Sequence, residues 1–137
     1  MVAPRVVATN LTTDDPLSEA SQFAAPERAF SYQGRRFGLT LSDGSPTVRS
    51  AILELSQRGD VVTGTYAGEG VDHGSLIAVI RAMGCLEGRF HHVADGALHT
   101  GRCWATPQHT AEGRVRLYFE WHMAGREGVS VMEEAAS

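Results

Sequence analysis

The chain has 137 residues, 42% hydrophobic and 20% charged, the make-up of one ordinary globular domain built on one core. Its 12 basic and 16 acidic residues leave a net charge of -4, and no basic stripe runs along the sequence, which argues against nucleic acid as a partner. No stretch approaches the roughly 18 consecutive apolar residues of a membrane helix, and Cys85 and Cys103 are too few for a disulfide framework.

Residues 1–27 are polar, rich in turn-formers such as Asp14-Asp15-Pro16 and Ala25-Pro26, and read as a flexible leader with one helical turn around Leu17 to Phe23. They lack the apolar run of a secretory signal, so a reduced, cytoplasmic setting is expected. The exclusive use of Arg over Lys is the habit of a GC-rich bacterial genome. From residue 28 a single domain is expected. Turn signals recur every 8 to 12 residues, the rhythm of an antiparallel sandwich or barrel, and the apolar period drops to two. Strands are predicted at 29–33, 36–42, 47–57, 60–67, 75–82, 85–94, 97–106, 114–123 and 128–133. No segment offers a long helix, so a βαβ nucleotide-binding design is excluded.

A two-residue hairpin turn dictates which residues oppose each other. Asp95-Gly96, read as such a turn, sets Arg89 against Arg102, His91 against Thr100 and Glu87 against Trp104 on one face, with His92 against His99 and Gly88 against Cys103 on the other. Glu112-Gly113, treated alike, carries Trp104 to Trp121 beside Phe119, Leu117 and Val115, so the first face is assigned to the interior. Arg58-Gly59 pairs Leu55 with Val62 and Ala51 with Tyr66, and Met83-Gly84 turns Leu76, Ala78 and Ile80 inward. The expected lining is then Phe37, Leu39, Leu41, Leu53, Leu55, Val62, Leu76, Ile80, Val93, Leu98, Trp104, Leu117, Phe119 and Trp121.

Tyr66, Glu87, Arg89, His91 and Arg102 fall among them, which a dry core would not hold unpaired. Small inward residues, Ala51, Gly64, Ala78 and Thr100, leave space beside them, as a barrel with a ligand cavity requires. One reading is an ion-paired network at a barrel mouth; the other is a small-molecule site with Glu87, His91 and Tyr66 as acid–base groups. In the second, Arg89, Arg102, Trp104, Trp121 and Phe119 would bind an apolar, anionic substrate. No metal is expected, because His92 with His99 and His122 with Cys103 make two pairs roughly 13 Å apart at about 3.3 Å per residue. Cys103 is turned away from the pocket as a structural thiol, and no phosphate-binding loop or nucleophile elbow is present, so no cofactor is expected. Val61, Ile77, Val79, Leu86, Phe90 and Tyr118 are assigned to the outer face, where an apolar patch of that kind points to a homodimer.

The stretches Phe30-Ser31-Tyr32-Gln33-Gly34-Arg35-Arg36-Phe37, Thr100-Gly101-Arg102-Cys103, Gly113-Arg114-Val115-Arg116-Leu117, Trp121 and Ser130-Val131-Met132-Glu133-Glu134 resemble a family of small bacterial proteins labelled N-acetylglutamate synthase. The resemblance covers roughly residues 30 to 134 and implies a compact β fold; Phe119 stands where that family has Glu two positions before its tryptophan. The sequence thus predicts a calycin- or lipocalin-like, antiparallel up-and-down β-barrel of about 8–9 strands around a small-molecule pocket. Three functions are open to it: a cofactor-independent cyclase or isomerase of secondary metabolism such as antibiotic biosynthesis, a carrier that sequesters its ligand, and an interaction module using the outer face.

Overall fold

The computed structural model describes residues 30–44 and 49–135. The expected leader, residues 1–27, lies outside the described residues. Among the described residues eight strands form: β1 (Arg36–Asp43), β2 (Ile52–Arg58), β3 (Val61–Gly68), β4 (Val71–Ile80), β5 (Leu86–Ala94), β6 (Ala97–His109), β7 (Val115–Met123) and β8 (Arg126–Glu134). Each pairs antiparallel with the next and β8 returns to β1, so the sheet closes into an up-and-down barrel without a free edge. Side chains alternate between buried and exposed along most strands, as period-two patterning dictates. The unit that contains the barrel runs from Tyr32 to Ser137. No helix among the described residues is long and apolar enough to cross a membrane.

One end of the barrel is sealed. The strand predicted at 29–33 does not form among residues 30–33; instead buried Tyr32 plugs the end, its hydroxyl donating to the Gly84 carbonyl and its amide to Gln57 Oε1 at 2.8 Å. Phe37, Leu55, Val62, Leu86, Val115 and Leu117 pack beneath it, each at most 3% exposed. Arg35 grips Glu134 with Nη1 at 2.9 and 2.8 Å from the two carboxylate oxygens, and Glu134 Oε1 also accepts the Val115 amide at 3.0 Å. This ties the entry to β1, the end of β8 and the start of β7 in one cluster.

Turn lengths decide which face of each strand looks inward. Asp95-Gly96 is a two-residue turn with φ of 54° and 73°, and the β5–β6 pairing follows the sequence expectation residue for residue, Arg89 opposite Arg102 and His92 opposite His99. The connections on either side of this hairpin differ from expectation. β4 and β5 are joined through the three-residue turn Ala82–Gly84, with Arg81 donating to the Cys85 carbonyl, and Ile80 faces Leu86. β6 and β7 are joined through residues 111–113, with the Thr110 amide donating to the Arg114 carbonyl and Gly113 at φ 83°, the three-residue hairpin with a left-handed glycine. Trp104 therefore faces Glu120, and Cys103 faces Trp121. An odd loop in place of an even one on each side turns the β5–β6 hairpin over as a unit.

Glu87, Arg89, His91, Arg102 and Trp104 consequently stand on the outer wall, and Gly88, Phe90, His92, Gly101 and Cys103 face in. Leu98, placed inside by the sequence, is 67% exposed, and Thr100 is also exposed. Leu86 and Phe90, assigned to the outer face, point inward. At β2–β3 the turn is Gly59-Asp60, one residue later than expected, so Leu55 faces Gly64 and Leu53 faces Tyr66; the pairing slides by two and the inward face is kept. A bulge between Leu39 and Leu41 in β1 leaves Leu41 54% exposed and brings Ser42 inward instead.

Candidate functional site

Toward the end opposite the Tyr32 plug, where β1 ends and β2 begins, the barrel holds a partly open cavity of about 120 Å³. Its wall is Leu39, Ser42, Ala51, Leu53, Tyr66, Leu76, Phe90, His92, Cys103, Phe119, Trp121, Met123, Ser130 and Met132, with no Asp, Glu, Arg or Lys among them. Every strand contributes, so the cavity is a property of the closed sheet.

The aromatic side chains reach their places because each lies against a glycine on the neighbouring strand. Tyr66 pairs with Gly74, Phe90 with Gly101 and Trp121 with Gly128, and a Cβ at any of these glycines would overlap the aromatic ring. Gly74 also pairs with His92 on its other side, so the Tyr66 ring crosses β4 over the bare backbone and reaches the imidazole. The Tyr66 hydroxyl lies 2.8 Å from His92 Nδ1. Phe90 stacks on His92 at 5.9 Å between ring centroids, and His99 approaches it from β6 at 5.4 Å.

His92 is 6% exposed. Burial, then the nearby His99 and His91, pull its pKa below the ordinary histidine value. Burial, and after it Cys103, pushes the Tyr66 phenol up. Both groups are therefore neutral at pH 7, and the imidazole carries a single N–H: with that proton on Nε2 the Tyr66 hydroxyl donates to Nδ1, and with it on Nδ1 the hydroxyl accepts. A second polar point lies across the cavity, where Trp121 Nε1 donates to Ser130 Oγ at 3.1 Å and Ser130 Oγ lies 3.5 Å from Ser42 Oγ. With Ser130 already accepting from the indole, the serine pair retains hydroxyl protons to offer. Burial pushes the Cys103 thiol up to about 11, so it lines the wall as an inert thiol.

Of the side chains that sequence reasoning placed in a site, the structure brings Tyr66, Phe119 and Trp121 together around the cavity. Glu87, Arg89, Arg102 and Trp104 lie together on the outer wall in a shallow groove, and His91 is exposed on the same side. His92, Ser42, Ser130, Phe90 and Cys103 were missed as lining residues. His92 and His99 do sit side by side as the hairpin required, but His92 is buried in the cavity wall. The signal for three of the aromatic positions was present in the sequence, as glycines spaced to fall opposite them. Among the described residues no three His, Cys, Asp or Glu side chains gather around one point that would hold a metal ion.

An eight-stranded antiparallel barrel, plugged at one end and holding an apolar cavity toward the other, is a ligand-binding barrel of the calycin type. Residues 30–135 match the model of the avidin-like protein family, and the chain belongs to that family, whose barrels bind small ligands. This corrects the N-acetylglutamate synthase resemblance: the same stretch of chain is accounted for by the avidin-like family. No curated protein and no solved structure matches the chain.

Proposed function

We propose that this protein is a non-catalytic binder of a neutral, mainly apolar small molecule, which it holds in the cavity between two hydrogen-bonding points. The observation that carries the proposal is that, among the described residues, the wall holds no formal charge, and its polar groups are the Tyr66–His92 pair, the Ser42–Ser130 pair with the Trp121 indole, and the neutral Cys103 thiol. Burying a charged ligand there would leave it unpaired at a cost of several kcal/mol. The anionic substrate inferred from Arg89 and Arg102 loses its basis, since both guanidinium groups are on the outer wall. A neutral ligand accepts hydrogen bonds from the serine hydroxyls and donates to the free lone pair of Tyr66, while its apolar body fills the space between Leu53, Leu76, Phe119 and Met132.

Trp121 lines the cavity and Trp104, the other tryptophan, does not, so Trp104→Phe leaves a single fluorophore at the site. The first experiment is native mass spectrometry of the purified protein, followed by titration of Trp104→Phe with the neutral apolar fluorophore N-phenyl-1-naphthylamine and with any compound released on denaturation. A retained neutral compound that changes Trp121 emission supports the proposal; an empty protein whose Trp121 emission no apolar probe changes overturns it.

A cofactor-independent cyclase or isomerase remains the second reading, favoured by the hydrogen-bonded Tyr66–His92 pair in the cavity wall. It rests on them alone, because Glu87 and His91 are outside. With the released compound as substrate, a chemical change that disappears in His92→Gln while binding persists would establish the enzyme. Unchanged recovery of the compound establishes the carrier.

A further inference from the structure

Of the titratable groups that line the cavity, Tyr66, His92 and Cys103, only His92 changes charge between neutral and mildly acidic pH. No neighbour packed against it supplies a negative charge. Tyr66 reaches it from β3, and Gly74, directly opposite on β4, carries no side chain. His99 on β6 lies 5.4 Å away between ring centroids and His91 precedes it on β5, and both oppose a positive charge at His92. Phe90 covers another side at 5.9 Å, and Cys103 is a neutral thiol. Asp72 and His73 on β4 and Asp95 after β5 are exposed, Arg89 and Arg102 lie on the outer wall, and none of these five lines the cavity.

We propose that the cavity is a proton-released binding site, which holds its neutral ligand near pH 7 and loses it in mildly acidic surroundings as His92 takes up a proton. The proposal rests on the reading of the cavity as a ligand site and adds its regulation. An apolar body in the cavity displaces the water that would solvate an imidazolium, and no carboxylate of the wall replaces that water. The complex therefore binds the proton more weakly than the empty barrel does. In the cation both ring nitrogens carry hydrogen, so Tyr66 can only accept from Nδ1, and a ligand that donates to Tyr66 competes with Nδ1–H for the phenol oxygen. Linkage is reciprocal: a ligand that weakens proton binding is itself weakened by the proton to the same degree. Burial and then the two histidines place the titration of free His92 below the ordinary value of about 6.5, so affinity is constant above that pH. Further down it falls by at most about tenfold per pH unit, the limit for one proton, and levels off once the complex is itself protonated.

The test is titration of the full chain with N-phenyl-1-naphthylamine, which stays neutral throughout, from about pH 7.5 to about pH 4.5, wherever circular dichroism remains native. In wild type Kd should hold steady near neutrality and rise severalfold or more below about pH 6.5. His92→Gln, whatever its Kd at pH 7.5, should show a flat profile. His99→Gln removes one opposing charge, so its loss of affinity should begin at a higher pH than in wild type. Wild-type binding that is constant across the range, or that falls in parallel in His92→Gln, overturns proton release and leaves the binding site standing. Absence of binding at pH 7.5 overturns both. Should His92→Gln not fold, His99→Gln decides: an onset moved upward supports the proposal and an unmoved onset overturns it.

Discussion

Tyr66 and His92 form the most constrained polar contact in the cavity, and two consequences follow at the level of the residue. Tyr66→Phe removes the hydrogen-bond partner described for buried Nδ1 of His92, and leaving a buried polar atom unpaired costs about 1–3 kcal/mol. Urea unfolding should show that loss in the wild-type background and a smaller one in His92→Gln, because the two side chains act as a pair. The second consequence concerns pH. His92 has its pKa pulled down by burial and by its neighbouring histidines, so between the native value and the unfolded value of about 6.5 the unfolded chain binds a proton that the native protein refuses. The stability this contributes is complete above about pH 6.5. It falls as pH drops through that interval and levels off once native His92 is itself protonated. Urea midpoints measured from neutral to acid pH should fall less steeply in His92→Gln than in wild type; parallel curves would show that His92 titrates normally.

At the scale of strands and turns, Gly74 is the position on which the cavity depends. It lies between Tyr66 on β3 and His92 on β5, and a methyl group there would occupy the volume of the Tyr66 ring. Gly74→Ala should destabilise the barrel by about 1–3 kcal/mol, the usual cost of overpacking, and should swing Tyr66 away from His92. Loss of the Tyr66→Phe effect in the Gly74→Ala background would report that displacement directly. The same scale shows what was legible in the sequence. Apart from the strand expected at 29–33, strand positions and the β5–β6 pairing could be read from period-two patterning and an Asp-Gly turn. The inward faces of β3, β4 and β7 also followed, so Tyr66, Phe119 and Trp121 were found. The faces of β5 and β6 were not legible, because Met83-Gly84 and Glu112-Gly113 look like two-residue turns while the chain uses three-residue loops. One residue in each loop exchanges Glu87, Arg89, His91, Arg102 and Trp104 for Phe90, His92 and Cys103 in the wall. Thr40 has the same effect in miniature: nothing in the local pattern announces the bulge that exchanges Leu41 for Ser42.

For the barrel as a whole, closure is uneven. Among the described residues three residue pairs are registered between β1 and β2, Arg36 with Glu54, Phe37 with Leu53 and Gly38 with Ile52, flanked by amide bonds from Leu39 to the Ala51 carbonyl and from Leu55 to the Arg35 carbonyl. β5 and β6 share nine pairs, from Leu86 with Ala105 to Ala94 with Ala97. The short seam is held at the sealed end, where Gly34 donates to the Leu55 carbonyl and Arg35 is anchored on Glu134, and it lapses toward the cavity. Opening this seam breaks few hydrogen bonds, so it should be the lowest-energy excursion of the barrel. Native-state hydrogen exchange should then show Leu39 and Leu53 exchanging through local opening, insensitive to low denaturant. Amides shared by β5 and β6 should exchange only through near-global unfolding. Leu39, Ser42, Ala51 and Leu53 also line the cavity, so a bound ligand bridges the two sides of the seam. Ligand should therefore slow exchange at Leu39 and Leu53 by more than it slows the β5–β6 amides, whose gain is limited to the global stabilisation RT ln(1 + [L]/Kd). Uniform slowing across all strands would show that the seam is closed in the free protein and that the ligand enters by another route.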